Sequence, residues 1–111
     1  MDGFLGYRCG VAAARMPQII YTPKSVADLV RLRDFLKTRN PDAAKRAVTS
    51  IKLAIQKSAM QPERFRPVQD LMYYREIIID FGSSGYVARF RYEQGGDITI
   101  VRIKHQFEGD F

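Results

Sequence analysis

The chain has 111 residues, enough for one hydrophobic core, and its 46% hydrophobic and 27% charged residues exclude a disordered chain. Lys and Arg number 18 against 12 Asp and Glu, and the formal charge of +6 points to an anionic partner: nucleic acid, a ribonucleoprotein, an acidic peptide or a membrane surface. No apolar run approaches the roughly 20 residues that span a bilayer, and a lone Cys9 with a lone His105 excludes an internal disulfide and a closed Cys/His zinc site.

A small chain without disulfides reads as cytoplasmic. No cofactor and no metal is expected, because the sequence holds no Walker-type glycine loop, nucleophile elbow or His-Glu-x-x-His signature.

Residues 1–15 (MDGFLGYRCGVAAAR) show neither helical nor strand periodicity and lack a signal peptide's long apolar core. The expected organisation is an N-terminal extension over 1–15, disordered or added by an upstream start codon, and one domain over 16–111. If the extension orders against the domain, Phe4, Leu5 and Tyr7 are its expected contacts.

Residues 18–22 (QIIYT) form a β-branched and aromatic run, a first strand. Thr22 before Pro23, with Ser25 following, predicts a capped helix start. Val26, Leu29, Val30, Leu32, Phe35 and Leu36 recur at helical spacing, with Arg31, Asp34 and Lys37 on the other side. Asn40, Pro41 and Asp42 then supply a cap, a first-turn proline and a charge suited to the positive helix end. Ala43, Ala44, Ala47, Val48, Ile51, Ala54 and Ile55 mark the apolar face of a second helix that fades near Ser58. Its small residues allow close approach, so the two helices are expected to form an antiparallel hairpin.

The proline-containing stretch SAMQPERFRPVQD reads as a loop, in which Phe65 between Arg64 and Arg66 is a structural anchor rather than a base-stacking site. Three β-branched and aromatic runs follow: YYREIIID, GYVARFRY and DITIVRIKH, separated by the turns FGSSG and EQGGD. The order β-α-α-β-β-β predicts an α+β domain, a helical hairpin packed on one face of a small, mainly antiparallel sheet.

Alternation along a strand puts Val87, Arg89 and Arg91 on one face and Tyr86, Ala88, Phe90 and Tyr92 on the other, which is apolar enough to pack on the helices. The same alternation puts Arg102 and Lys104 on one face with Ile98 and Ile100. A half-apolar, half-basic surface is therefore expected.

The last third resembles the C-terminal part of ParE-like toxins in the RelE/ParE superfamily of bacterial toxin–antitoxin modules. The resemblance rests on Arg75-Glu76 opening a strand, the FG-x-x-GY turn (Phe81, Gly82, Gly85, Tyr86), the following F-R-Y, and the terminal K-H-Q-x-E (Lys104, His105, Gln106, Glu108). With the element order it covers roughly residues 16–111. It implies a stable toxin held inactive, in an oligomeric complex, by an acidic segment of a ParD-like or RelB-like antitoxin. It also implies one of two activities: poisoning of DNA gyrase, or mRNA cleavage on the ribosome by RelE-like members. A homologue that has lost toxicity, and only binds antitoxin and tunes operon repression, is a further alternative.

An RNase of this size needs a proton acceptor, cations around the phosphate and a proton donor. Arg89, Arg91, Arg102, Lys104 and His105 are the candidates here. In YoeB-like ribonuclease members a His-Tyr pair ends the last strand and an Arg sits early in the strand before it. Here the pair is His105-Gln106, and Val87 stands at that Arg position. An amide exchanges no proton usefully, and valine binds no phosphate. The resemblance therefore favours the gyrase-directed branch. Arg75, Arg89, Arg91, Ile98, Ile100 and Arg102 are expected to bind antitoxin, whose apolar side would lie on the sheet with carboxylates toward the arginines. By analogy with that branch, Lys104, His105, Gln106, Phe107 and Glu108 are expected to meet the target.

Overall fold

Thr22 ends a strand and starts a helix. Its backbone N–H donates to Ile100 O at 3.1 Å, and its Oγ1 accepts the N–H of Ser25 at 3.1 Å. The computed structural model describes residues 17–111, so Cys9 and the expectations for the extension lie outside the described residues. The elements are β1 (Ile19–Tyr21), α1 (Pro23–Lys37), α2 (Pro41–Ser58), a 3-10 turn (Pro62–Arg64), β2 (Arg66–Pro67), β3 (Tyr74–Phe81), β4 (Ser84–Arg91) and β5 (Ile98–His105). The strand order is β1-β5-β4-β3-β2, with β1 parallel to β5 and the remaining pairs antiparallel.

This is the expected α+β arrangement with one added strand. The stretch read as loop contributes β2, whose Arg66 and Pro67 pair with Glu76 and Arg75. A two-residue strand carrying proline has no alternation to detect, and proline is tolerated because β2 is an edge. Both helix caps form as expected: Asn40 accepts the N–H of Ala43 at 3.1 Å, with Pro41 in the first turn.

The helical hairpin covers one face of the sheet. Leu29 and Leu32 of α1 and Ala47, Ile51 and Ile55 of α2 meet Ile77, Ile79, Ala88, Phe90, Ile100 and Ile103. Each fully buried isoleucine contributes about 2–3 kcal/mol relative to an exposed one. Phe65 packs edge-on against Phe90 with ring centroids 6.0 Å apart, so the loop anchor is real.

The apolar stripe of α1 is narrower than its spacing suggested. Val26, Val30 and Phe35 are exposed, while Ser25 and Asp28 are buried. Ser25 Oγ donates to Thr22 O at 2.8 Å, and Asp28 serves the edge of β5. Because β1 ends at Tyr21, the β5 backbone beyond Ile100 has no strand beside it on that side. Side chains at the start of α1 take over: Thr22 Oγ1 donates to Val101 O at 3.2 Å, Asp28 Oδ2 accepts Ile103 N–H at 2.9 Å, and Arg31 Nη2 donates to Ile103 O at 3.4 Å. Polar groups are buried there because backbone polar groups must be satisfied.

Candidate functional site: the basic outer face of the sheet

The β3–β4 hairpin fixes what stands opposite each arginine. Its two-residue loop places Gly82 at φ +62°, which glycine adopts without strain, and sets Phe81 opposite Ser84. Counting back along the ladder puts Glu76 opposite Arg89. Glu76 Oε2 accepts from Arg89 Nη2 at 2.9 Å and Nε at 3.2 Å, while its Oε1 accepts from Arg66 at 2.7 Å. Burial alone would raise the Glu76 pKa; the hydrogen bonds and charges of Arg66 and Arg89 outweigh it and hold the carboxyl below its usual range.

Between β4 and β5 the register slips. Arg89 faces Arg102 and Phe90 faces Ile100, so Val101 is an extra residue, a β-bulge. The bulge reverses the inside–outside alternation along β5. Ile98 and Ile100 are 0% exposed and point to the helices, as does Ile103, while Arg102 and Lys104 point away. The expected grouping of Ile98 and Ile100 with the basic residues is therefore corrected: both are core, and neither is available to an antitoxin.

The outer face gathers Arg89, Arg102 and Lys104. Arg102 Nε donates to Asp28 Oδ2 at 2.9 Å. Burial would raise the Asp28 pKa, but Arg102, the Ile103 N–H and Arg31 together hold it below the usual carboxylate range, and Asp28 in turn raises that of Arg102. Lys104 Nζ donates to carbonyl oxygens, Gly109 at 3.0 Å and Glu108 at 3.4 Å. Over all three lies the ring of Phe111, 4.5 Å from Arg89 Cζ, 5.9 Å from Arg102 Cζ and 5.2 Å from Lys104 Nζ.

The other expected residues lie elsewhere. Arg91 shares the outer face but pairs with Glu93 at 2.7 Å and stacks over Tyr73. Arg75 has the opposite parity and donates to Phe65 O at 2.7 Å, anchoring the loop before β2. His105 stands opposite Tyr86, on the helix side of the sheet. Its Nδ1 accepts the N–H of Phe107 at 3.2 Å, so Nε2 carries the proton and donates to Ser84 Oγ at 3.0 Å. Burial pushes the neighbouring Tyr86 phenol up, which keeps it protonated. His105 and Phe107 line a groove of about 630 Å³ together with Phe35 and Phe81. Gln106 reaches the outer side, near Lys104. Glu108 is a staple: it accepts the His105 N–H at 2.8 Å and pairs with Arg31.

The candidate cations Arg89, Arg102 and Lys104 sit on one face and His105 on the other. Sequence reasoning missed Asp28 and Phe111, and did not see Glu76 as the partner of Arg89. The Glu76 pairing was readable by counting from a two-residue turn. Asp28 and Phe111 had no signal, since both act across more than 70 positions or through a chain reversal.

Comparison with known proteins settles the lineage. The family model described as ParE toxin of type II toxin–antitoxin system, parDE, matches residues 19–108. The chain belongs to the ParE toxin family. Similar curated proteins are Toxin RelE2 of Caulobacter vibrioides, 34% identical over 90 residues (81% of this chain, 96% of that protein), and Toxin RelE3 of the same organism, 32% identical over 93 residues (84% and 98%). A solved structure of the chromosomal ParDE system from P. aeruginosa superposes with a TM-score of 0.69 at 24% identity, covering 81% of this chain and 96% of that one, and shares the fold. The ParE-family chain is thus a type II toxin–antitoxin toxin. Among the described residues no helix is long and apolar enough to cross a membrane.

Proposed function

We propose that this ParE-family toxin acts by binding DNA gyrase, in the cytoplasm, and has no nuclease chemistry of its own. A cognate antitoxin, ParD-like or RelB-like, silences it by laying an acidic segment on the outer face around Arg89, Arg102 and Lys104. Charge-assisted hydrogen bonds to carboxylates suit guanidinium groups held on strands, which lose little freedom on binding.

One observation carries the reading: His105 lies across the sheet from the cations, with both ring nitrogens already engaged. A ribose hydroxyl and its phosphate cannot meet a proton acceptor and these arginines together unless the strands rearrange. Gln106 and Val87, in place of tyrosine and arginine, agree with that separation.

The RelE-like reading, an mRNA interferase on the ribosome, has a specific observation in its favour, the RelE names of the curated relatives. The two readings separate in a paired assay with purified protein. Inhibition of gyrase supercoiling without cleavage of ribosome-bound mRNA supports the first; a codon-positioned cut in translated mRNA overturns it. Neither activity, with tight antitoxin binding, identifies a toxin that has lost its target.

A further inference from the structure

After β5 the chain turns back at Gly109 and lays Phe111 on the basic face. We infer that Asp110 and Phe111 are a tethered occupant of the docking surface, and that the partner segment which replaces them carries an aromatic side chain beside a carboxylate.

The geometry is that of a filled site. The Phe111 ring stands within 6 Å of three cations borne by two different strands. An aromatic face attracts such cations through its quadrupole, and more strongly where water is excluded. Asp110 and Phe111 together line two adjoining recesses, one shared with Arg89 and Lys104 and the other with Arg102 and Lys104. Glu76 and Asp28 neutralise Arg89 and Arg102, whereas Lys104 meets carbonyl oxygens, so the face keeps a positive bias that a carboxylate relieves.

The segment is built to leave. Glu108 is held at both carboxylate oxygens, by Arg31 and by the His105 N–H, so the chain up to that point stays in place. Gly109 follows, exposed and with open space where a side chain would stand, and serves as the pivot, its carbonyl held by Lys104 Nζ at 3.0 Å. Release therefore moves the chain beyond Gly109, Asp110 and Phe111 with it. A tethered group competes at high effective concentration, so an external segment binds with its affinity reduced by the fraction of uncovered face.

This inference rests on the outer face being the antitoxin-docking surface, and its test needs no antitoxin, gyrase or ribosome. The probe is the amidated peptide acetyl-Glu-Gly-Asp-Phe, titrated into the full chain and into Phe111→Ala while NMR signals of Arg89, Arg102 and Lys104 are followed. The variant should bind it about tenfold more tightly, the size of two to three exposed cation–π contacts. Phe111→Leu, which keeps apolar bulk without the ring, should give an intermediate gain. In the native chain the Lys104 side-chain protons should show a ring-current shift that Phe111→Leu abolishes. Equal binding by variant and native chain, binding by neither, or no ring-current shift overturns the inference. Such a failure leaves gyrase inhibition untouched, and a failure of gyrase inhibition leaves this result standing.

Discussion

Asp28 and Arg102 lie 74 residues apart and meet at 2.9 Å, joining the start of α1 to the bulged part of β5. The same carboxylate takes the Ile103 N–H, so it completes the edge of β5 and orients a cation of the basic face at once. Asp28→Ala would leave a backbone donor and a guanidinium without their acceptor. The expected cost is about 2–3 kcal/mol, discounted for the partial exposure of Arg102. Urea unfolding with an unchanged m-value would measure it.

Acid should weaken the fold through the same group and through Glu76. Both folded pKa values lie below their unfolded ones, so both carboxylates stabilise the protein above the unfolded pKa, near 4. That stability is lost as pH falls through the lower folded values. The urea midpoint should therefore hold as the pH drops toward about 5 and fall below about 4. Asp28→Asn and Glu76→Gln should each flatten that fall; an unchanged acid slope in both variants would contradict the assignment.

Gly85 has no room for a side chain. A Cβ there would stand 2.1 Å from Ile79 O, in the partner strand of its hairpin. Gly85→Ala is expected to destabilise by more than about 2 kcal/mol, whereas Gly109→Ala, which meets open space, should stay within about 0.5 kcal/mol. Thermal melts of the two variants side by side test the contrast.

How far the sequence could be read follows the range of each interaction. The caps at Thr22 and Asn40 and the inside–outside order of β4 depend on neighbours within a few residues, and all were legible. The facing of β5 was not, because one extra residue at Val101 reverses the alternation, and nothing in ITIVRIKH marks where the ladder slips. The burial of Asp28 in place of an apolar side chain escaped for a related reason: the start of α1 serves a strand edge that needs oxygen and nitrogen rather than carbon. Arg89 looked like a free cation until the hairpin register supplied Glu76.

The corrected facing of β5 gives two substitutions with opposite readouts. Ile100→Ala removes a fully buried side chain and should cost about 2–5 kcal/mol of stability. Lys104→Glu reverses a charge on the outer face and should leave the melting temperature nearly unchanged. It should weaken antitoxin binding at least about tenfold, with the loss growing at low salt. Thermal melts read the first and calorimetric titration with a cognate antitoxin reads the second; a Lys104→Glu variant that binds normally would remove the outer face from the docking site.

The central claim is a toxin that binds its target and moves no proton. The most direct measurement is gyrase supercoiling titrated with the native chain and with His105→Ala, ribosome-bound mRNA being followed in parallel. A toxin that binds and moves no proton predicts inhibition by the native chain, inhibition retained by His105→Ala at a concentration raised by no more than the about tenfold that a lost contact at the end of β5 costs, and intact mRNA throughout. Codon-positioned cleavage by the native chain, lost in His105→Ala, with supercoiling unaffected by either, would contradict it.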